Sequence, residues 1–207
     1  MTAAAPSGVL TFLFTDIEGS TRRWEADAAA MRAALLAHDE VLRDAIETHG
    51  GFLFSHTGDG VVAAFNSPKS AVDAAIAAQR ALELPVRMGV ATGEAELRDG
   101  DYFGTVVNRA ARVMAAGHGG QILVADSTAV LLIGIDLVDL GPRRLRDLPT
   151  AVGLFQVRAR AWARTFRRCG LWIRVRETCG LRSLASLGAS PRSPISKRPC
   201  VHIGWSR

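Results

Sequence analysis

The chain has 207 residues, enough for one domain with a real core but short for two. Its formal net charge of +5 is misleading, because residues 158–207 hold 12 of the 25 Lys and Arg and a single acid, Glu177, leaving the first 157 residues with 13 basic against 19 acidic groups. That distribution argues against a polyanion-binding groove in the body, and three cysteines confined to the same tail, with no close pair and no zinc-type spacing, argue against a disulfide framework or a metal knuckle.

The first apolar run, GVLTFLFTDI at 8–17, reads as a strand. Residues 19–51 follow with apolar positions at helical spacing and end in Gly50-Gly51, which reads as one long helix with a glycine stop. Two short apolar runs, Gly51–Ser55 and Val61–Phe65, form a hairpin, and Ser67-Pro68 opens an alanine-rich helix over 67–83. A strand at 85–97, a polar turn RDGDYFG, a helix near 104–116, a strand in GGQILVAD and short strands over 135–157 complete the body. The order β-α-β-β-α-β with appended elements predicts an α+β, ferredoxin-like sandwich. No leader-type segment opens the chain and no stretch nears the roughly 18 apolar residues of a membrane span, so a cytoplasmic protein with no membrane partner is expected.

Two acids occupy particular places in this order. Asp16 leaves the C-terminal end of the first strand, and Asp59 sits between Gly58 and Gly60 at the hairpin bend. If the strand and the hairpin are sheet neighbours, the carboxylates converge, and paired carboxylates suit magnesium or manganese, hard cations that also bridge substrate phosphates. Taken singly, Asp16 also reads as a helix cap and Asp59 as a turn residue. Further on, Asn108 and Arg112 lie four apart on one helical face, an amide and a guanidinium suited to charge on ribose and phosphate oxygens; a solvated polar face is the alternative.

Together, FLFTDIEGST, HTGDG and YFGTVVNRAARVMAAGHGGQILV resemble the catalytic domain of class III adenylyl and guanylyl cyclases, in the form common in actinobacterial multi-domain regulators, over residues 8–158. The resemblance implies that Asp16 and Asp59 hold two Mg²⁺ or Mn²⁺ ions, that Asn108 orients the ribose, and that Arg112 stabilises the transition state at the α-phosphate. It further implies a head-to-tail homodimer whose composite sites take the Asn–Arg pair from the partner. Ile17, Arg144 and Arg146 fall near the substrate, the arginines where the family places a basic residue on the triphosphate.

The base-reading pair departs from the pattern. Four residues before the second aspartate, adenylyl cyclases usually carry a lysine that reads adenine N1, and here the residue is Ser55; Asp101, seven before Asn108, matches the other adenine-reading position. Guanine would call for an acid at the first position, so ATP is favoured over GTP. The function expected is therefore a weak adenylate cyclase, with a cyclase-like nucleotide-sensing or dimerisation module as the alternative.

His38, His49 and His118 read as surface or loop histidines, and His56 as a turn or packing residue. Residues 159–207 carry no sustained periodicity and are expected to be a disordered basic tail; a back-translation of 165–180 one base out of register yields linker-like text, consistent with a frameshifted linker.

Overall fold

A computed structural model describes residues 5–158. The expectations for the tail lie outside the described residues. The first strand, β1 (Gly8–Ile17), alternates its side chains between two apolar cores, sending Leu13 and Ile17 to one face and Leu10 and Phe12 to the other. It is followed by α1 (Ser20–Ala26) and α2 (Ala28–Thr48), so the single helix expected over 19–51 is two. The break is Asp27, whose extended backbone ends α1 and whose carboxylate accepts the N–H groups of Ala29 and Ala30 to cap α2.

The hairpin forms as expected from β2 (Phe52–His56) and β3 (Val61–Phe65), and α3 (Pro68–Ala81) starts from a Ser67 cap with proline in its first turn. Strand β4 (Val86–Arg98) outruns its neighbours, and its far end pairs with β5 (Asp101–Phe103). Those three residues belong to the stretch read as a polar turn. Then come α4 (Thr105–Ala115), β6 (Ile122–Ala125), a four-residue helix α5 (Asp126–Ala129) that the sequence reading lacked, and the terminal strands β7 (Leu137–Arg143) and β8 (Val152–Val157).

The sheet runs β2-β3-β1-β4-β6-β8-β7, with β1 antiparallel to both β3 and β4 and β4 parallel to β6. Its first four strands have the ferredoxin-like order, and α2 and α3 both cover one face, burying Met31, Leu42 and Ile46 from one helix and Val72, Ala75 and Ala78 from the other. On the opposite face, α4 buries Val106, Ala110 and Val113 against Phe12, Ala91 and Leu123. The expected α+β sandwich is therefore the fold found. Among the described residues no helix is long and apolar enough to cross a membrane.

Candidate active site

The pairing of β1 with β3 brings the two predicted carboxylates to one end of the sheet. Thr15 fixes the junction from both sides, its hydroxyl accepting from the Val61 N–H (2.9 Å) and donating to the Val61 carbonyl (3.3 Å). The Ile17 N–H then donates to the Asp59 carbonyl over 3.1 Å. Gly60 makes the approach possible, because a Cβ there would lie 1.9 Å from the Thr15 carbonyl oxygen. Asp16 belongs to the same strand face as Phe12, the face that α4 covers, while Ile17 is buried on the other.

Both acids are partly buried, and each is held by a neighbouring side chain. Asp16 Oδ2 receives Nε (2.7 Å) and Nη2 (2.6 Å) of Arg87, its cross-strand partner on β4, and Asp59 Oδ2 receives the Ser20 hydroxyl at 2.6 Å. Burial pushes the Asp16 carboxyl above its usual value; Arg87 opposes the shift, and the nearby negative charge of Asp59 adds to it. At Asp16, burial outweighs the compensation that Arg87 supplies. Such a donor set, hard oxygens from two converging carboxylates, fits a magnesium or manganese ion. Among the described residues no group of three or more His, Cys, Asp and Glu forms a complete cage, so an ion here would need oxygen ligands from substrate or water as well.

The second predicted group lies on α4. Asn108 is exposed and Arg112 half-buried one turn later. Among the described residues no hydrogen bond or ion pair joins either to Asp16 or Asp59 in the protomer; Arg112 Nη2 instead donates to Asp147 Oδ2 over 2.7 Å, and its Nε is buried without an acceptor. Arg144 and Arg146 are exposed in the β7–β8 connection, and only Arg146 approaches this group, its Nε 3.4 Å from the same Asp147 oxygen.

The residues next to the two predicted base-reading positions meet in an aromatic contact. A β-bulge in β2 at Phe54 brings Ser55 opposite Val62, so that Phe54 and Ser55 both serve the α4 side of the sheet. The Phe54 ring meets Tyr102 edge-on at 4.8 Å, and Tyr102 follows Asp101 on β5, so the neighbours of Ser55 and Asp101 are packed together. Asp101 itself is exposed and accepts the Tyr102 N–H at 2.8 Å.

Sequence reasoning missed Arg87, Ser20 and Asp147. A lone cation inside the apolar run VRMGVA was the available signal for Arg87; nothing local marked the other two. Of the histidines, only His38 departs from the surface or loop reading. His38 is buried in α2, with Nδ1 2.9 Å from Asp39 Oδ1, while His118 lies in the loop after α4 as expected, half-buried and 3.3 Å from Glu18 Oε1. His49 is likewise bound, its Nδ1 2.8 Å from the Ala45 carbonyl at the end of α2.

Residues 69–154 match the model of the adenylate and guanylate cyclase catalytic domain. An uncharacterised protein of Mycobacterium tuberculosis is 37% identical over 161 residues, which cover 73% of this chain and 56% of that protein. An adenylate cyclase of Podospora anserina is 33% identical over 155 residues, covering 58% of this chain and 7% of that enzyme. Among solved structures, an adenylate cyclase from Trypanosoma brucei described in its monomeric state superposes with a TM-score of 0.70 at 26% identity, covering 74% of this chain and 90% of that one. The chain thus spans about half the length of the M. tuberculosis relative and a small part of the fungal enzyme.

Proposed function

The chain belongs to the adenylate and guanylate cyclase catalytic domain family, and from that premise we propose that it is an adenylate cyclase, converting ATP to 3′,5′-cyclic AMP and pyrophosphate at the interface of a head-to-tail homodimer. The observation that carries this reading is the division of the protomer into two half-sites. Asp16 and Asp59 converge at the end of β1, while Asn108 and Arg112 stand on the outer side of α4 without any hydrogen bond or ion pair to them. A second copy can supply what each half lacks, so residues 1–158 act as the catalytic domain and as the dimerising unit.

Asp16 and Asp59 would hold the metal ions. Bound Mg²⁺ or Mn²⁺ would supply Lewis acidity, making the ribose 3′-hydroxyl a better nucleophile and neutralising triphosphate charge. The protein's own groups do the rest. Arg87 keeps Asp16 oriented through a single carboxylate oxygen, leaving the other for a ligand, and Ser20 does the same for Asp59. Asn108 from the partner orients the ribose, and its Arg112 donates to the α-phosphate oxygens where charge builds as the P–O bond to pyrophosphate breaks. Arg146 and Arg144 add positive charge for the triphosphate, and the Ile17 backbone lies beside Asp59 in the metal half-site. Asp101 accepts from the exocyclic amine of adenine, which favours ATP over GTP. Ser55 is too short and uncharged to supply a second charge-assisted bond to the base, so affinity and discrimination are expected to be low.

Ser55 also supports the second reading, a module that binds nucleotide and dimerises with little turnover. The two separate in one assay: cyclic-nucleotide formation by the full chain with Mn²⁺ and ATP or GTP, beside an Asp59→Ala control. Cyclic AMP that disappears in the control supports the cyclase. Dimerisation and nucleotide binding with no product from either nucleotide would overturn it in favour of the sensor, and Ser55→Lys would then be the variant to test for recovered turnover.

A further inference from the structure

We propose that Asp147 is a positioning residue that sets Arg112 and Arg146 as a pair. The proposal rests on the reading of Arg112 as the group that meets the α-phosphate. Three observations lead to it. Asp147 Oδ2 lies 2.7 Å from Arg112 Nη2 and 3.4 Å from Arg146 Nε, so a single carboxylate oxygen joins a helix and a loop that are 35 residues apart in the chain. Asp147 has φ +59°, one of only two non-glycine residues in the left-handed region among the described residues, the other being the turn residue Asp99. The residues around it are anchored: Leu145 is 5% exposed in the core beneath α4, Leu148 packs on the same core, and the Leu148 N–H donates to the Leu145 carbonyl.

The loop therefore cannot drift, and its strained residue is the one aimed at Arg112. What this arrangement achieves is electrostatic. Arg146 lies beside Asp147 in sequence and Arg112 reaches it from α4, so two guanidinium groups share one acid. Without that acid the two closest cations would repel and take separate rotamers; with it they are held side by side, the arrangement a triphosphate chain requires. Among the described residues Arg112 Nε has no acceptor, so the guanidinium is tethered by one nitrogen rather than used up by its partner. Asp147 orients this group and does not itself touch the reacting atoms.

The test uses Asp147→Asn and Asp147→Gly in the full chain, with Arg112→Ala as reference. Asn and Gly both tolerate the left-handed backbone, so the loop keeps its shape and only the charge, or the whole side chain, is removed. The expected result is a fall in kcat of about 10-fold in both variants with a rise in KM for the nucleotide of less than about 3-fold, because Arg112 loses its orientation toward the transition state while Arg146 keeps its charge for the triphosphate. The melting temperature should stay within about 2 °C of the parent, as expected for a partly exposed ion pair. Wild-type kcat in both variants, with Arg112→Ala inactive, would overturn the role of Asp147 alone. Wild-type activity in Arg112→Ala would remove the reading beneath it. Equal losses in kcat and in melting temperature would make Asp147 a structural residue and also overturn the proposal.

Discussion

The Ser20 hydroxyl donates to Asp59 Oδ2 over 2.6 Å, joining the first residue of α1 to the bend between β2 and β3. The contact holds Asp59, one of the two acids proposed to bind metal, in a single orientation. Groups that orient a ligating carboxylate commonly change metal affinity by 10–100-fold when removed. Ser20→Ala should therefore raise the Mn²⁺ concentration for half-saturation about 10-fold, read directly by the electron paramagnetic resonance of free Mn²⁺ in a titration, while Ser20→Thr should stay near the parent value. An unchanged titration in Ser20→Ala would mean that this hydroxyl has no part in the metal half-site.

Gly60 carries a different kind of constraint. A Cβ there would be 1.9 Å from the Thr15 carbonyl oxygen and 2.7 Å from its carbon, and neither is the free end of a side chain that could move away. Gly60→Ala must push β1 and the hairpin apart, at a cost of about 3 kcal/mol, or a fall in melting temperature of about 6–12 °C. Gly58→Ala meets no atom within 4 Å but sits at φ +90°, so it should cost less, through backbone strain alone. Comparison of the two melting curves separates close approach from backbone conformation; equal losses would contradict the packing argument.

The sheet was legible because its strands are long apolar runs, and β1, β3 and β4 sit within a residue of where the pattern puts them. What escaped was short or discontinuous. The helical period runs on through Asp27 in an alanine-rich stretch, so the cap that divides α1 from α2 left no mark on the pattern. Strand β5 has three residues and owes its pairing to a turn in which Asp99 and Gly100 both take positive φ. The site divides in the same way. Asp16 and Asp59 stand out as acids at the ends of apolar runs, and Asn108 and Arg112 by helical spacing. Arg87 depends on the register of β1 against β4, and Asp147 on a contact between distant segments, and neither register nor long-range contact is written in local composition.

Tyr102 is the only tyrosine in the chain, so its ionisation can be followed without interference from another phenol. Its ring lies between Phe12 (5.3 Å) and Phe54 (4.8 Å), its hydroxyl donates to the Pro6 carbonyl at 2.6 Å, and burial raises its pKa above the ordinary value of 10.0. The folded state thus holds its phenol proton to higher pH than the unfolded state does. The stability associated with that proton is complete below pH 10 and declines as pH rises from there through the folded value. Phenolate absorbance near 295 nm should show a midpoint above 10 in the native protein and near 10 in denaturant. A native midpoint at or below 10 would mean that the Phe54–Tyr102 contact, and with it the link between the Ser55 and Asp101 positions, is open in solution.

The proposed composite sites give the most demanding prediction, because it depends on which residues come from which copy. Asp59→Ala and Asn108→Ala should each be inactive alone. Mixed in equal amounts and allowed to exchange subunits, half of the dimers become heterodimers. In each heterodimer one site receives both damaged residues and the other receives neither, so activity should return to about a quarter of the parent value. Asp59→Ala mixed with Asp16→Ala should recover nothing, since both changes damage the same half-site and every site in every dimer then contains one of them. That second mixture excludes recovery by refolding or by contaminating parent enzyme. If the first mixture also stays inactive while exchange is verified by differently tagged subunits, the two half-sites do not meet across a dimer interface, and the division of labour between β1 and α4 would have to be abandoned.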